Sequence, residues 1–264
     1  MSIPYANNLV LRAGAHKLCK AFGIKISSHV QIVQVAANAG YDALFIDMEH
    51  GWMSIGQVQN LCSVALLAGI TPFVRVPHQC GNGFVQRVLD GGAMGIVFPH
   101  IHSAQDAKDA VAICRYPPEG VRSMVGQLPL FGSQPTAPGP TMQASNAAIS
   151  VLVMIESGHG VAAADEIAAV PGVTAVFVGS MDLSIDLGVP AQWTSDPYRT
   201  ALETISNACR KHSTVFGLAG VYGNAAVQDW ALNTLGARFM LVEQDVSVLT
   251  TGATNAAIAV PPIL

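Results

Sequence analysis

The chain has 264 residues, which suffice for one large domain or two small ones. Its composition of 51% hydrophobic and only 11% charged residues favours an extensive buried core. The formal charge of −4, without any basic block, argues against a nucleic-acid partner, and no apolar run approaches the roughly 18 residues that span a bilayer. Five widely spaced cysteines without a Cys-x-x-Cys pair indicate free thiols in a reducing compartment, so we expect a cytoplasmic protein.

Apolar strands and helices alternate along the chain after an N-terminal helix or arm at 1–15. The predicted strands are 20–26, 43–47, 71–75, 95–98, 150–155, 175–178, 214–217 and 239–242. The predicted helices are 27–39, 54–68, 82–91, 103–114, 161–170, 197–212, 224–235 and 245–259. Continuous apolar strands are typical of a parallel sheet covered by helices. Eight such units predict a single (β/α)₈ barrel domain over residues 1–264, and the lack of a Gly-x-Gly-x-x-Gly after the first strand argues against dinucleotide binding.

Two long connections interrupt this rhythm, at 115–146 after the fourth strand and at 183–196 after the sixth. The first is rich in Gly, Pro, Ser and Gln. Connections of this length inside a compact domain usually serve a function.

Polar residues collect where the predicted strands end. In a (β/α)₈ barrel these ends form the face that carries the active site. Because the chain has so few charged residues, the concentration of charged side chains on one face is hard to explain by a purely structural role. The residues at these exits are Asp47, Glu49, His50, Arg75, His100, His102, Glu156, Gly179, Ser180, Asp182 and Glu243.

Glu156 and Asp182 follow neighbouring strands and are the predicted ligands of a divalent metal ion, Mg²⁺, Mn²⁺ or Co²⁺. The alternative is that they cap helices. Arg75 is placed to grip a carboxylate or an enolate oxygen, and it could also form an ion pair with Asp47 or Glu49.

His50 is the predicted base, with Asp47 fixing its tautomer, although a lone histidine is more often structural. His100 and His102 are weaker candidates for a direct role. Arg122 could reach over the site and bind a second anionic group, or it could be a solvated loop arginine. Lys25 is predicted to lie inside the first strand, away from the strand ends, and no Schiff-base lysine is expected.

Five segments, in order, resemble the HpcH/HpaI aldolase family of metal-dependent (class II) pyruvate aldolases. Each motif alone is modest, but the ordered set is specific and the similarity runs from about residue 20 to 250. The segments are Phe-Ile-Asp-Met-Glu-His (45–50), Phe-Val-Arg-Val-Pro (73–77), Arg-Tyr-Pro-Pro-Glu-Gly-Val-Arg (115–122), Ile-Glu (155–156) and Val-Gly-Ser-Met-Asp-Leu-Ser (178–184).

The resemblance implies a barrel whose last helix is exchanged between subunits, in a homo-oligomer that is usually a hexamer built from dimers. It also implies roles for single residues. Glu156 and Asp182 match the metal ligands, Arg75 the arginine that holds the pyruvate oxygen, and His50 the base that Asp47 supports. The backbone around Gly179, Ser180 and Met181 would receive the pyruvate carboxylate, and Asp90 matches an acidic residue that reaches a neighbouring subunit's site.

The predicted reaction is aldol cleavage or formation of 4-hydroxy-2-oxo acids from a 2-oxo acid and an aldehyde, through a pyruvate enolate. The alternative is an oxaloacetate decarboxylase-type lyase with the same metal site, similar to macrophomate synthase. Two features depart from the family: Met154 replaces a glutamine common two residues before the metal glutamate, and 124–146 differs from the bacterial heptanedioate enzymes. The sequence therefore leaves the acceptor open.

Overall fold

The protein, described by a computed structural model over residues 3–263, is built on eight parallel strands that close into a barrel in sequence order. The strands are β1 (Cys19–Ile24), β2 (Ala43–Asp47), β3 (Thr71–Arg75), β4 (Gly95–Phe98), β5 (Ser150–Ile155), β6 (Ala175–Gly179), β7 (Val215–Ala219) and β8 (Phe239–Gln244). Each strand pairs with its neighbours in the sequence, and β1 pairs with β8 across a register shift between Ala21 and Phe22. The predicted (β/α)₈ fold is confirmed.

Helices lie between the strands and cover the outside of the barrel. The longer ones are α2 (Gln31–Asn38), α3 (Ile55–Leu67), α4 (Asn82–Asp90), α5 (Ala104–Cys114), α6 (Pro138–Ala148), α10 (Asp196–His212) and α12 (Asp245–Ile258). The shorter ones are α1 (Asn8–Gly14), α7 (Gly158–Ala162), α8 (Ala164–Ala168), α9 (Ser180–Asp186) and α11 (Ala225–Asp229), the last followed by a π-helical turn over Trp230–Thr234. None of the helices in residues 3–263 combines the length and the apolar character that crossing a membrane requires.

Both predicted long connections contain helix. The first carries a 3₁₀ turn over Pro129–Phe131 and then α6, which begins at Pro138. Proline is favourable at the first position of a helix, so the Gly and Pro content that indicated a loop marks a helix start instead. The second predicted connection begins inside α9.

Phenylalanines fill the inside of the barrel. Phe177 packs against Phe45 and Phe239, with ring centroids 5.8 and 5.1 Å apart, and Phe73 meets Phe239 at 5.4 Å. A side chain at Gly95 would lie 2.6 Å from the ring of Phe73, so this strand glycine makes room for it. The packed interior supports a rigid floor beneath the strand exits.

The last helix, α12, contrasts with the others because it hardly packs on its own barrel. Asp245 is its single buried residue. The apolar side chains of Val248, Leu249 and Ile258 are 47%, 55% and 77% exposed. Such an exposed apolar helix is typical of a surface that another chain covers.

Candidate active site

Arg75, the last residue of β3, is held by two carboxylates, that of Asp47 at the end of β2 and that of Glu49 just after it. Its Nε donates to Asp47 Oδ1 at 3.0 Å and its Nη2 to Asp47 Oδ2 at 2.7 Å, while Nη1 lies 2.9 Å from Glu49 Oε2. The β2–β3 register places Asp47 beside Arg75, so the strand pairing itself builds this contact. Because a guanidinium carries five N–H groups, Arg75 keeps donors free for a substrate oxygen.

The charges in this cluster support one another. Burial disfavours the ionised form of Asp47, but the hydrogen bonds and charge of Arg75 and the backbone N–H groups of Glu49 and His50 outweigh it and lower the pKa of Asp47. Burial likewise works against the charged form of Arg75, but Asp47, Glu49 and Glu156 raise its pKa. The guanidinium is therefore a fixed cation in a buried position.

Glu156 follows β5 directly and is buried, with 4% of its surface exposed. Its Oε2 accepts from the backbone N–H of His100 at 2.9 Å and lies 3.5 Å from His100 Nδ1. His100 Nε2 is 3.3 Å from Glu49 Oε1, so this histidine connects the two carboxylates. Burial raises the pKa of Glu156, and Glu49 adds to the rise, although His100 and Arg75 oppose it.

A cavity of about 350 Å³ opens at these strand exits. Eight of the predicted residues line it: Asp47, His50, Arg75, Glu156, Gly179, Ser180, Met181 and Asp182. The other predicted residues do not line it: Glu49, Asp90, His100, His102, Arg122 and Glu243. Pockets of this size hold small organic molecules. The structure therefore brings these residues, which come from separate strands, to one cavity.

The carboxylates of Glu156 and Asp182 suit a divalent cation by their chemistry. Both line the cavity, and a side chain at Gly179 would place its Cβ 2.2 Å from Glu156 Oε1, so glycine leaves the carboxylate free to turn inward. Carboxylate oxygens are the donors that Mg²⁺ and Mn²⁺ prefer. No three His, Cys, Asp or Glu side chains within residues 3–263 form a cluster that could hold a metal ion by itself. Two protein ligands with the remaining positions left to substrate and water are consistent with this geometry.

His50 lies at the cavity, but its surroundings differ from those predicted. Its side chain is 56% exposed, and its Nε2 is 3.8 Å from Glu49 Oε2. Asp47 accepts from the backbone N–H of His50 at 3.2 Å and makes no hydrogen bond to the ring, because Arg75 engages both of its oxygens. The predicted fixing of the His50 tautomer by Asp47 is therefore not seen in this structure.

Arg122 and Asp90 lie away from the cavity and pair with each other. Arg122 Nη2 is 2.8 Å from Asp90 Oδ1, the arginine side chain is 1% exposed, and its guanidinium lies 4.5 Å from the Tyr116 ring centroid. Neither predicted alternative for Arg122 fits, since it neither reaches over the site of this chain nor points into solvent. The loop turns inward because Gly120 packs on the end of α5, where a Cβ would lie 2.3 Å from the Ala112 carbonyl oxygen.

Three polar residues of the cavity were not predicted: Lys25, Tyr222 and Gln244. Lys25 is the first residue after β1, which ends at Ile24, two residues earlier than expected. The reason is Asp245, whose carboxylate accepts from the backbone N–H groups of residues 25–27 at 3.0, 3.1 and 2.7 Å. These contacts replace strand pairing and place Lys25 at a strand exit.

Comparison with known proteins identifies relatives over nearly the whole chain. The family model "HpcH/HpaI aldolase/citrate lyase" matches residues 25–234. The 4-hydroxy-4-methyl-2-oxoglutarate aldolase cghB of Chaetomium globosum is 50% identical over 97% of this chain and 96% of its own length. The 4-hydroxy-4-methyl-2-oxoglutarate aldolase tasA of Hapsidospora irregularis is 48% identical over 99% and 97%.

A solved relative has the same fold. The crystal structure of the HpcH/HpaI aldolase from Desulfitobacterium hafniense DCB-2 superposes with a TM-score of 0.89 at 30% identity, covering 97% of this chain and 98% of that one. The family match, the two relatives and the shared barrel agree with one another. The chain therefore belongs to the HpcH/HpaI aldolase/citrate lyase family and is an enzyme of the class II pyruvate aldolase type.

Proposed function

We propose that the protein is a metal-dependent carbon–carbon lyase that cleaves or forms 4-hydroxy-2-oxo acids through a pyruvate enolate. The observation that carries this proposal is the fixed Arg75 cation facing the same cavity as the Glu156 and Asp182 carboxylates. The two relatives named as 4-hydroxy-4-methyl-2-oxoglutarate aldolases support an acid of this class as substrate.

Glu156 and Asp182 would hold the divalent ion, Mg²⁺, Mn²⁺ or Co²⁺. When bound, such an ion supplies positive charge where the substrate becomes an enolate. Gly179 and Ser180 line the same cavity, and their backbone with that of Met181 would receive the pyruvate carboxylate.

Arg75 stabilises the developing enolate oxygen. Its ion pairs with Asp47 and Glu49 hold the guanidinium in place before substrate arrives, so no reorganisation is needed as negative charge grows. In cleavage, the C3–C4 bond breaks and its electron pair becomes part of the enolate, while C4 becomes a carbonyl.

His50 removes the proton of the 4-hydroxyl during cleavage and returns it during synthesis. Its exposed ring at the cavity can reach a substrate oxygen directly or through one water. The carbonyl product leaves from the same side.

We further propose that the single barrel domain assembles as a cytoplasmic homo-oligomer, a hexamer built from dimers, with α12 exchanged between subunits. The exposed apolar side chains of Val248, Leu249 and Ile258 support this assembly. In it, Asp90 would reach a neighbouring subunit's site.

The deciding experiment incubates metal-replete protein with 4-hydroxy-4-methyl-2-oxoglutarate, with pyruvate plus a panel of aldehydes, and separately with oxaloacetate. Glu156→Ala and an EDTA-treated sample run alongside. Metal-dependent aldol chemistry that disappears in Glu156→Ala supports the proposal. Rapid pyruvate release from oxaloacetate without any aldol reaction would show the decarboxylase instead, and activity that survives EDTA would refute the metal requirement.

A further inference from the structure

One wall of the cavity carries donors that the proposed chemistry does not use. Lys25 follows β1, Gln244 ends β8 and Tyr222 follows β7, so the three come from adjacent strands. Glu156 follows β5, which is four strands from β1 in either direction round the closed barrel. Lys25 therefore lies across the barrel from Glu156, whereas Tyr222 lies beside the β6 exit that carries Asp182.

The backbone of Lys25 is held while its ammonium stays free. Asp245, 1% exposed, accepts from the backbone N–H groups of Lys25 and the two residues after it. Among residues 3–263, Lys211 is the one lysine that pairs with a carboxylate, so no side chain in this range neutralises Lys25. A lysine at a cavity, with a held backbone and no carboxylate partner, is suited to an anionic ligand.

Tyr222 offers a second donor on the same wall. Gln244 Nε2 donates to the Tyr222 hydroxyl oxygen at 2.7 Å, which leaves the hydroxyl hydrogen free to point elsewhere. Gly23 makes room for this arrangement, since a Cβ there would lie 2.8 Å from Gln244 Cγ. Burial raises the pKa of Tyr222, so the phenol keeps its proton near neutral pH.

We propose that Lys25, assisted by the Tyr222 hydroxyl, binds the second carboxylate of a dicarboxylic 4-hydroxy-2-oxo acid. The carbonyl product of cleavage is then itself an acid, and a simple aldehyde is a poorer acceptor in synthesis. An ammonium and a hydroxyl together match a carboxylate, and charge-assisted bonds of this kind are among the stronger ones in proteins. This inference rests on the proposed function and specifies its substrate class.

The charges of the cavity favour the same conclusion. Asp47 is paired with Arg75, and the proposed metal ion would offset the charges of Glu156 and Asp182, so neither cation is left for a second substrate carboxylate. Arg75 already has carboxylate partners, whereas Lys25 does not. Lys25 is therefore the residue whose charge is available to the distal end of the substrate.

The test compares retro-aldol cleavage of 4-hydroxy-4-methyl-2-oxoglutarate, a dicarboxylate, with that of 4-hydroxy-2-oxopentanoate, a monocarboxylate. In metal-replete Lys25→Gln the ratio of the two kcat/KM values should fall by about 10- to 100-fold, mainly through KM for the dicarboxylate. Lys25→Arg should retain most of the ratio, and Tyr222→Phe should lower it less. Lys108→Gln makes the same charge change on an exposed face of α5 and should leave the ratio as in the wild type.

A binding measurement separates this inference from the proposed function. Calorimetric titration with 2-oxoglutarate and 2-oxobutyrate, which lack the 4-hydroxyl, should show a preference for the dicarboxylate that Lys25→Gln abolishes. If the wild type cleaves neither 4-hydroxy acid, the proposed function fails, while the titration still decides the role of Lys25. An unchanged preference, an equal loss with both ligands, or a pyruvate adduct on Lys25 after borohydride reduction would overturn the inference.

Discussion

Replacing Gly179 by alanine tests the placement of the Glu156 carboxylate with a single methyl group. Gly179 has φ −86°, which alanine adopts without strain, so the change acts through space alone. The new Cβ would lie 2.2 Å from Glu156 Oε1 and 2.7 Å from its Cγ, whereas ordinary contact begins at 3.4 Å. The carboxylate must therefore move by about 1 Å, a displacement that can reduce catalysis by about 100-fold.

The fold should tolerate this change better than the site does. Overpacking of this kind costs about 1–3 kcal/mol, and each kcal/mol lowers the melting temperature of a protein of this size by about 2–4 °C. We expect Gly179→Ala to remain folded at 25 °C, while its affinity for Mn²⁺ falls by about 10- to 100-fold.

Calorimetric Mn²⁺ titration, steady-state kinetics and thermal unfolding measure the three effects. Gly139→Ala is the matched control, because a Cβ at this exposed glycine of α6 would meet nothing within 4 Å. Wild-type Mn²⁺ affinity and kcat/KM in Gly179→Ala would refute the assignment of Glu156 as a metal ligand beside Gly179. Loss of the folded state at 25 °C would refute the expectation that the barrel accommodates the added methyl group.

Three further changes test the surroundings of the site. Asp47→Asn should lower the free energy of unfolding at pH 7 by about 3 kcal/mol, since Arg75 loses its bidentate partner but keeps Glu49. Burial raises the pKa of Asp47, but Arg75 outweighs burial and lowers it. The stabilisation by the Asp47 carboxylate is therefore present above the ordinary aspartate pKa of about 3.9 and is lost as the pH falls through the lower pKa of the folded state. In urea titrations at that low pH, the free energies of unfolding of the wild type and the variant should converge. Asp90→Ala should lower the free energy of unfolding by about 3–5 kcal/mol in the same assay, because Arg122 is left buried and unpaired. A loss below about 1 kcal/mol would contradict the importance of this ion pair. Leu249→Asp should reduce the mass seen in sedimentation equilibrium toward the 27.5 kDa of one chain, and a wild type that already sediments as a monomer would refute the proposed oligomer.

The barrel and most of its site could be predicted because strand exits are readable in this sequence. An apolar strand followed at once by a charged residue occurs at Asp47, Arg75 and Glu156, and each of these lines the cavity. The convergence is a property of the fold, since parallel strands in a closed barrel deliver their ends to one face. The chain order of these exits was therefore enough to place them together.

Lys25 shows where this reasoning fails. In the sequence it lies between Ile24 and Ile26, so it appears as a polar residue within an apolar strand. What ends β1 before it is the carboxylate of Asp245, which is 220 residues away in the chain. Contacts over such a separation follow from the closure of the barrel between β1 and β8, and no local pattern carries them.

Arg122 shows a second kind of failure. Its motif matches the family, and a loop arginine near an active site suggests a substrate contact, yet the side chain is buried against Asp90 and Tyr116. The direction of the loop depends on how Gly120 packs on α5, which is a tertiary contact. A motif therefore predicted the residue type and not the direction of its side chain.

The ion pairs around Arg75 are better explained by the positioning of its guanidinium than by a gain in the stability of the fold. Taking charges out of water is costly, and apolar residues of similar volume often replace buried pairs without loss of stability. A chain with only 11% charged residues nevertheless keeps Asp47, Glu49 and His100 in contact between Arg75 and Glu156. The contacts hold one cation and one carboxylate at fixed positions on the same cavity before any substrate binds. Because enolate chemistry requires positive charge at a defined oxygen, this fixed arrangement is what the lyase function would select.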